Sequence, residues 1–243
     1  MSEVRKMQHL VCFDMDRVLV DHMSTWQYVY DKLEISNEEA FNLYNQGKLD
    51  EWDWLKMDLA LIKDSHPGIT DKKMRQLCEG TPLMQGMEEC LQWIIDKGHE
   101  VAIISGGMQE TARHIACMFP SGKAWTRRWG GINRHRGCDT KFHVFTNGWL
   151  ERNDGSIDDY GRYQVQMNGK GSIVKMLQRR LDIPKERTIS IGDSAGDIGM
   201  FEESELSICF NPWDEKPVAV AKKTIRSRNL LDVLDLIKQQ IKE

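Results

Sequence analysis

Asp14 and Asp16 place two carboxylates two residues apart at the end of an apolar run, His9–Met15 (HLVCFDM). In extended backbone, residues i and i+2 share a face, so both acids point into one cleft. Acids this close repel, which favours a cation or a shared proton between them. One could act as a nucleophile that accepts a phosphoryl group, and the other as general acid and base. Taken alone, D-x-D is as readily a strand-end turn or a helix cap.

Three further signals follow in order. Ser105-Gly106-Gly107 comes after the run Glu100–Ser105 (EVAIIS) and reads as the opening of a helix. A hydroxyl beside backbone N–H groups at a helix N-terminus suits an anion such as phosphate. Lys170, between Gly169 and Gly171 and ahead of a helical stretch Ser172–Arg180, could neutralise such an anion and hold the nucleophile in place. Gly192-Asp193-Ser194-Ala195-Gly196-Asp197 follows the run Arg187–Gly192 (RTISIG) and offers two acids four residues apart to one hard divalent cation. Each signal has an ordinary structural reading, as a cap, a turn lysine or a helix-capping acid. Their conjunction is far more specific than any member.

The elements that would position them alternate. The runs His9–Met15, Glu100–Ser105, Arg187–Gly192 and Leu206–Phe210 are nearly continuous in apolar residues, while Met87–Lys97 and Asp197–Glu203 read as helices between them. Continuous apolar strands alternating with helices predict an α/β, doubly wound, Rossmann-like parallel sheet. In such sheets ligands bind beyond the carboxyl ends of the strands, where all four signals fall. Residues 21–82 read as helical throughout and are expected to form a small cap domain over a core of residues 1–20 and 83–243. In the Gly-rich region 121–168, Phe142–Thr146 and Tyr163–Met167 are the expected strands around a turn at Asn153–Gly155.

Composition bounds the function. With 243 residues, 40% hydrophobic and 29% charged, the chain is expected to be globular with one or two domains. The formal charge of −4 argues against a dedicated nucleic-acid binder. No apolar run reaches the roughly 20 residues a membrane helix needs, so no membrane partner is expected. The first residues lead directly into a strand-like run, so no signal peptide is expected. Six cysteines are scattered without a C-x-x-C pair. Neither a zinc cluster nor a disulfide framework is expected, and the compartment reads as cytoplasmic.

Taken in order, Asp14-Met15-Asp16, Ser105, Lys170 and Gly192-Asp193…Asp197 resemble the four motifs of the haloacid dehalogenase-like phosphohydrolases over about residues 9–235. Ser105-Gly106-Gly107 and Lys170-Gly171 are similar to the phosphoserine phosphatase-like branch, and residues 21–82 look like its type-1 cap. The resemblance implies a Mg²⁺-dependent phosphomonoesterase acting on a small phosphorylated metabolite. Asp14 would be the nucleophile and Asp16 the general acid and base. Ser105, the Gly106 N–H and Lys170 would hold phosphate oxygens. Mg²⁺ would be bound by Asp14, the backbone carbonyl of Asp16, and Asp193, with support from Asp197.

The chain also departs from that branch. Its relatives follow D-x-D with Ser-Thr-Leu and then an acid for the substrate ammonium. Here Arg17-Val18-Leu19 follows, and Met23 stands at the acid's position, with Asp21 a possible replacement. Their cap arginine for the substrate carboxylate aligns with Asp58, and Gly196 stands where an Asn is usual. Phosphoserine is therefore not the expected substrate, and Met23, Trp54 and Asp58 become the candidates for specificity. The segment 121–138 carries Lys123, Arg127, Arg128, Arg134 and Arg136 with two tryptophans and no acid. It is either a solvated insertion or a grip for a larger anionic substrate, such as an RNA end. A phosphotransferase using the same intermediate and a non-catalytic binding module remain the alternatives.

Overall fold

The computed structural model describes residues 8–120, 134–135, 138–140 and 142–241. Strand β1 (Leu10–Phe13) leads into four helices, α1 (Thr25–Leu33), α2 (Glu38–Asn45), α3 (Glu51–Ser65) and α4 (Asp71–Glu79). There follow α5 (Met87–Asp96), β2 (Glu100–Met108), α6 (Gln109–Cys117), a two-residue pair β3 (Arg134–His135) and β4 (Cys138–Asp139), β5 (Phe142–Glu151) and β6 (Ile157–Arg162). The chain ends with α7 (Lys170–Leu181), β7 (Thr188–Gly192), α8 (Ile198–Glu202), β8 (Leu206–Phe210), α9 (Glu215–Val220), β9 (Lys223–Ile225) and α10 (Leu231–Ile241).

Seven strands form one sheet in the order β6-β5-β2-β1-β7-β8-β9. All neighbours pair in parallel except β5 and β6, which form an antiparallel hairpin at the edge. The α/β doubly wound expectation therefore holds, with one antiparallel strand added. From β1 the chain builds outward to β2 and β5, then returns to place β7 on the other side of β1. The crevice for a ligand lies where that direction reverses.

The apolar runs are continuous because the sheet is covered on both faces. Val11 and Phe13 of β1 join Val101 and Ile103 of β2 under Leu91 and Ile94 of α5, Ile115 of α6 and Ile237 of α10. Leu10 and Cys12, with Ala102 and Ile104, face Val174 and Leu177 of α7 and Met200 of α8. Period-two alternation thus divides each strand between two apolar layers.

A third apolar cluster belongs to the helical segment. Val29, Leu33, Leu55, Leu59, Ile62 and Met74 pack with Met108, Trp149 and Ile157, which come from β2, β5 and β6. The segment leaves and re-enters the sheet at one point, where Val20 pairs with Leu83 and the Asp21 N–H donates to the Pro82 carbonyl (2.8 Å). It is also joined to the hairpin. The Trp149 Nε1–H donates to Asp71 Oδ1 (3.1 Å), the Asp71 N–H to the Gly155 carbonyl (2.9 Å), and Thr70 pairs with Ser156.

Several expectations need correction. The second hairpin strand is Ile157–Arg162, not Tyr163–Met167. The adjacent acids Asp158, half-buried, and Asp159, exposed, mask the strand in sequence by interrupting its apolar pattern. Residues 164 and 165 donate their N–H groups to the Asn147 side chain (2.8 and 2.9 Å) rather than to a ladder. Gly106 and Gly107 extend β2 through a bulge, and the helix opens only at Gln109. Cys12, Cys78, Cys90 and Cys209 are free and buried, and Cys117 is disulfide-bonded. The basic segment 121–138 lies outside the described residues apart from the backbone of β3 and of Cys138. Among the described residues, no helix is long and apolar enough to cross a membrane.

Candidate active site

Asp14 leaves β1 with its N–H still donated to the Ile191 carbonyl of β7 (2.9 Å), so the first acid is fixed by the sheet itself. The turn after it is tight: the N–H groups of Val18, Leu19 and Val20 all converge on the Met15 carbonyl (3.2, 2.8 and 3.0 Å). That turn brings Asp16 to the N-terminus of α1, where the Thr25 N–H donates to Asp16 Oδ1 (3.0 Å). Ser24 caps the helix through the Trp26 N–H (3.2 Å). A helix N-terminus stabilises an adjacent anion.

Lys170 begins α7 and is only 5% exposed. Its Nζ lies 3.0 Å from Asp14 Oδ1 and 2.7 Å from Asp197 Oδ1. The other oxygen of Asp197 accepts the N–H groups of Asp193 (2.9 Å) and Ser194 (3.1 Å), which locks the loop after β7. Asp14, Asp193 and Asp197 each present a carboxylate oxygen, all within 4.8 Å of one another. Arg17 Nε reaches Asp193 Oδ2 at 3.0 Å. Of the four acids expected to serve a metal, three converge by their side chains. The Asp16 carboxylate is not among them, and its Oδ1 accepts the Thr25 N–H instead.

The electrostatics follow from the crowding. Burial raises Asp14 above the usual carboxylate range and Asp197 adds to this, while Lys170 opposes it. Burial, followed by the charges of Asp14 and Asp197, pushes Asp193 up to about 9. Asp16 is pushed up to about 7, chiefly by burial and then by Asp14. Burial pulls Lys170 down, but Asp14 and Asp197 outweigh it and hold the ammonium above the ordinary lysine range. Three buried acids sharing one lysine, with only oxygen donors, fit a hard divalent cation.

Ser105 is buried in β2, just before its bulge, and faces the Asp14 carboxylate. Its Oγ accepts the Gly107 N–H (3.1 Å). Gly107 is required by space: a Cβ there would come within 2.6 Å of Met15 Cε and Thr25 Oγ1 and 2.9 Å of Asp16 Oδ2. Thr25 Oγ1 accepts the Met108 N–H (2.8 Å), and Trp26 Nε1–H donates to the Gly106 carbonyl (3.1 Å). The first turn of α1 therefore fixes both the second acid and the Ser-Gly-Gly strand. Neither Thr25 nor Trp26 was found from sequence, although the Ser24 cap, eight residues after Asp16, marks the helix start that carries them.

Of the specificity candidates, Trp54 and Asp58 face each other on α3. Met23 is exposed. Trp54 packs between Tyr44 (centroids 4.5 Å apart) and Phe41 (6.1 Å). Asp58 is buried within the helical segment, with Tyr30, Asn37 and Trp54 facing it, and burial pushes it up to about 6. Asp21 accepts from Arg228 Nε (3.0 Å), as a surface acid would. Glu51 was not singled out from sequence, yet its Oε2 accepts from the Tyr163 hydroxyl and the Met167 N–H, both at 2.9 Å. It thereby ties α3 to the segment that leads into Lys170.

Comparison with known proteins identifies the family and supports the fold. Residues 9–204 match the haloacid dehalogenase-like hydrolase family. A phosphoserine phosphatase of Methanocaldococcus jannaschii is 26% identical, across 97% of this chain and 100% of the relative. One from Campylobacter jejuni subsp. doylei is 28% identical, across 78% of this chain and 77% of its own. A solved phospho-aspartyl intermediate analogue of phosphoserine phosphatase superposes with a TM-score of 0.70 at 23% identity, covering 94% of this chain and 98% of that one. A Salmonella enterica hydrolase of the same family gives 0.72 at 21%, covering 94% of this chain and 71% of that one. The chain belongs to the haloacid dehalogenase-like hydrolases, in their phosphoserine phosphatase-like branch.

Proposed function

We propose that this enzyme is a Mg²⁺-dependent phosphomonoesterase that hydrolyses a small phosphorylated metabolite through an aspartyl-phosphate on Asp14. The observation that carries this reading is the buried Lys170 bridging Asp14 and Asp197 beside Ser105 and Asp193. In the first step an Asp14 carboxylate oxygen bonds to phosphorus as the ester P–O bond breaks, and Asp16 gives its proton to the departing oxygen. In the second, Asp16 takes a proton from water, whose oxygen bonds to phosphorus as the Asp14–phosphorus bond breaks. Phosphate and the starting carboxylate result. An Asp16 that titrates near 7 can hold a proton and later accept one at neutral pH.

Ser105, the Gly106 N–H and Lys170 would hold the phosphate oxygens that do not react. Asp14, Asp193 and Asp197, with the Asp16 carbonyl, would hold the cation. When bound, that cation supplies the positive charge that lets an anionic nucleophile meet an anionic phosphate. Residues 21–82 would serve as a cap over the strand ends.

The relatives' name suggests phosphoserine, but we propose a different principal substrate. Met23 has no charge to pair with an ammonium, and Asp58 would repel a carboxylate where the branch carries an arginine. Phosphate release from a panel of phosphorylated metabolites, phosphoserine included, tests both statements. Turnover is expected to vanish with EDTA and in Asp14→Asn, with phosphoserine below the best compound. A folded enzyme that releases phosphate from none of them would overturn the reading.

A further inference from the structure

Arg17 follows the two site acids and adopts a left-handed backbone (φ 62°) that an arginine rarely takes. Its side chain is placed by three groups from the other side of the site. Nε donates to Asp193 Oδ2 (3.0 Å), Nη2 donates to the Asn211 carbonyl (2.8 Å), and the guanidinium lies 5.4 Å from the centroid of the Trp213 ring. Asn211 is itself left-handed (φ 48°), and its Nδ2 donates back to the Arg17 carbonyl (3.5 Å). The Trp213 N–H donates to the Asp193 carbonyl (2.8 Å). The rare backbone conformation of Arg17 is thus held against that of Asn211, and the result is a guanidinium on one oxygen of Asp193.

Arg17 could act on a cation at this cluster in two opposite ways. By fixing the Asp193 carboxylate it would favour binding through the free oxygen. By its charge it would oppose binding. With a cation bound, the ionised carboxylates of Asp14, Asp193 and Asp197 bring three negative charges, of which Lys170 and Arg17 offset two; without Arg17, two remain uncompensated. The Asp193 main chain is already held by Asp197 and Trp213. Removing Arg17 therefore frees little more than one side-chain rotation, which is the smaller effect.

We infer that Arg17 is an internal counter-cation that holds the affinity of the acidic cluster for a divalent cation low. Bound to Asp193, it offsets that acid when no metal is present and competes with the metal when it arrives. This inference rests on the metal-dependent reading above, and direct binding measurements separate the two.

The test is titration of the metal-free protein with MgCl₂ by calorimetry, and with Mn²⁺ by electron paramagnetic resonance, for the parent chain, Arg17→Gly and Arg17→Asn. Glycine and asparagine both tolerate the left-handed backbone and carry no charge, so each variant keeps the turn. Kd is expected to fall about tenfold or more in both. One positive charge within about 6 Å of a divalent ion costs about that factor even at the dielectric of water. An unchanged or higher Kd in both variants would overturn the inference and leave the functional reading standing. No binding in any of the three folded proteins would overturn both.

Discussion

Replacing Lys170 by methionine removes the one ammonium shared by Asp14 and Asp197 while keeping much of its volume. Both carboxylates are buried, Asp14 at 5% exposure and Asp197 at 0%, and water cannot replace the lost partner at either. Breaking a buried pair in this way costs about 3–5 kcal/mol. For a chain of this size that corresponds to a fall in Tm of roughly 6–20 °C. The cost should come from stranded charge rather than lost packing, and a second substitution separates these. In Asp197→Asn the amide oxygen can still accept the Asp193 and Ser194 N–H groups, while its NH₂ turns to the side Lys170 occupied. The double variant Lys170→Met/Asp197→Asn should therefore recover more than half of the lost stability in urea unfolding, a coupling of about 2 kcal/mol or more. Phosphate release should not recover, because the charge on the phosphate oxygens is still missing, and should remain about 10²–10³-fold down. A loss under 1 kcal/mol in the single variant, or strictly additive losses in the double, would refute the reasoning.

Three further outcomes are expected. A Cβ in Gly171→Ala would come within 2.5 Å of the Gly199 carbonyl oxygen, main chain that cannot swing aside. Separation of α7 from α8 should cost about 2–3 kcal/mol in urea unfolding and lower turnover with it, since α7 carries Lys170. Trp149→Phe removes the buried donor to Asp71 but leaves Arg75 on that acid, so a loss of about 1–2 kcal/mol is expected; one below about 0.5 kcal/mol would show that the bond adds nothing. In EDTA the protein should be less stable at high pH. Asp16 and Asp193 have an ordinary value of 3.8 but hold protons to about 7 and about 9 when folded. The folded state then binds more protons between these limits, and stability falls as pH rises. Tm should drop by roughly 10–20 °C from pH 5.5 to 8, and a rise would contradict the assigned burial.

The parts legible in sequence are those set by local pattern. β1, β2, β7 and β8 are buried on both faces, so their apolar runs are unbroken, and Asp14, Ser105 and Asp193 follow from where those runs stop. Lys170 was legible because its flanking glycines mark a helix start at the same edge. What escaped depends on contacts between distant residues. Arg17 meets Asp193, 176 positions away, and nothing around Arg17 announces it. β6 was hidden because Asp158 and Asp159 broke the apolar signal at an exposed edge. The ring of Tyr30, Asn37 and Trp54 around Asp58 was likewise hidden, because these residues come together only when α1 and α3 pack.

The apolar cluster shared by α1, α3 and α4 with Trp149 and Ile157 bears on how this protein can be recombined with its relatives. Its covalent boundary, at Val20 and Leu83, invites exchange of residues 21–82 alone. Such a chimera would set a foreign apolar face against this chain's Trp149, Ile157 and Met108, and would leave the Gly155 carbonyl without the Asp71 N–H. The unit that exchanges intact comprises two stretches of sequence, the helices and the β5–β6 hairpin, with Glu51 and its partners Tyr163 and Met167 kept together. Inheritance of substrate preference in this chain would follow that composite unit rather than the helices alone.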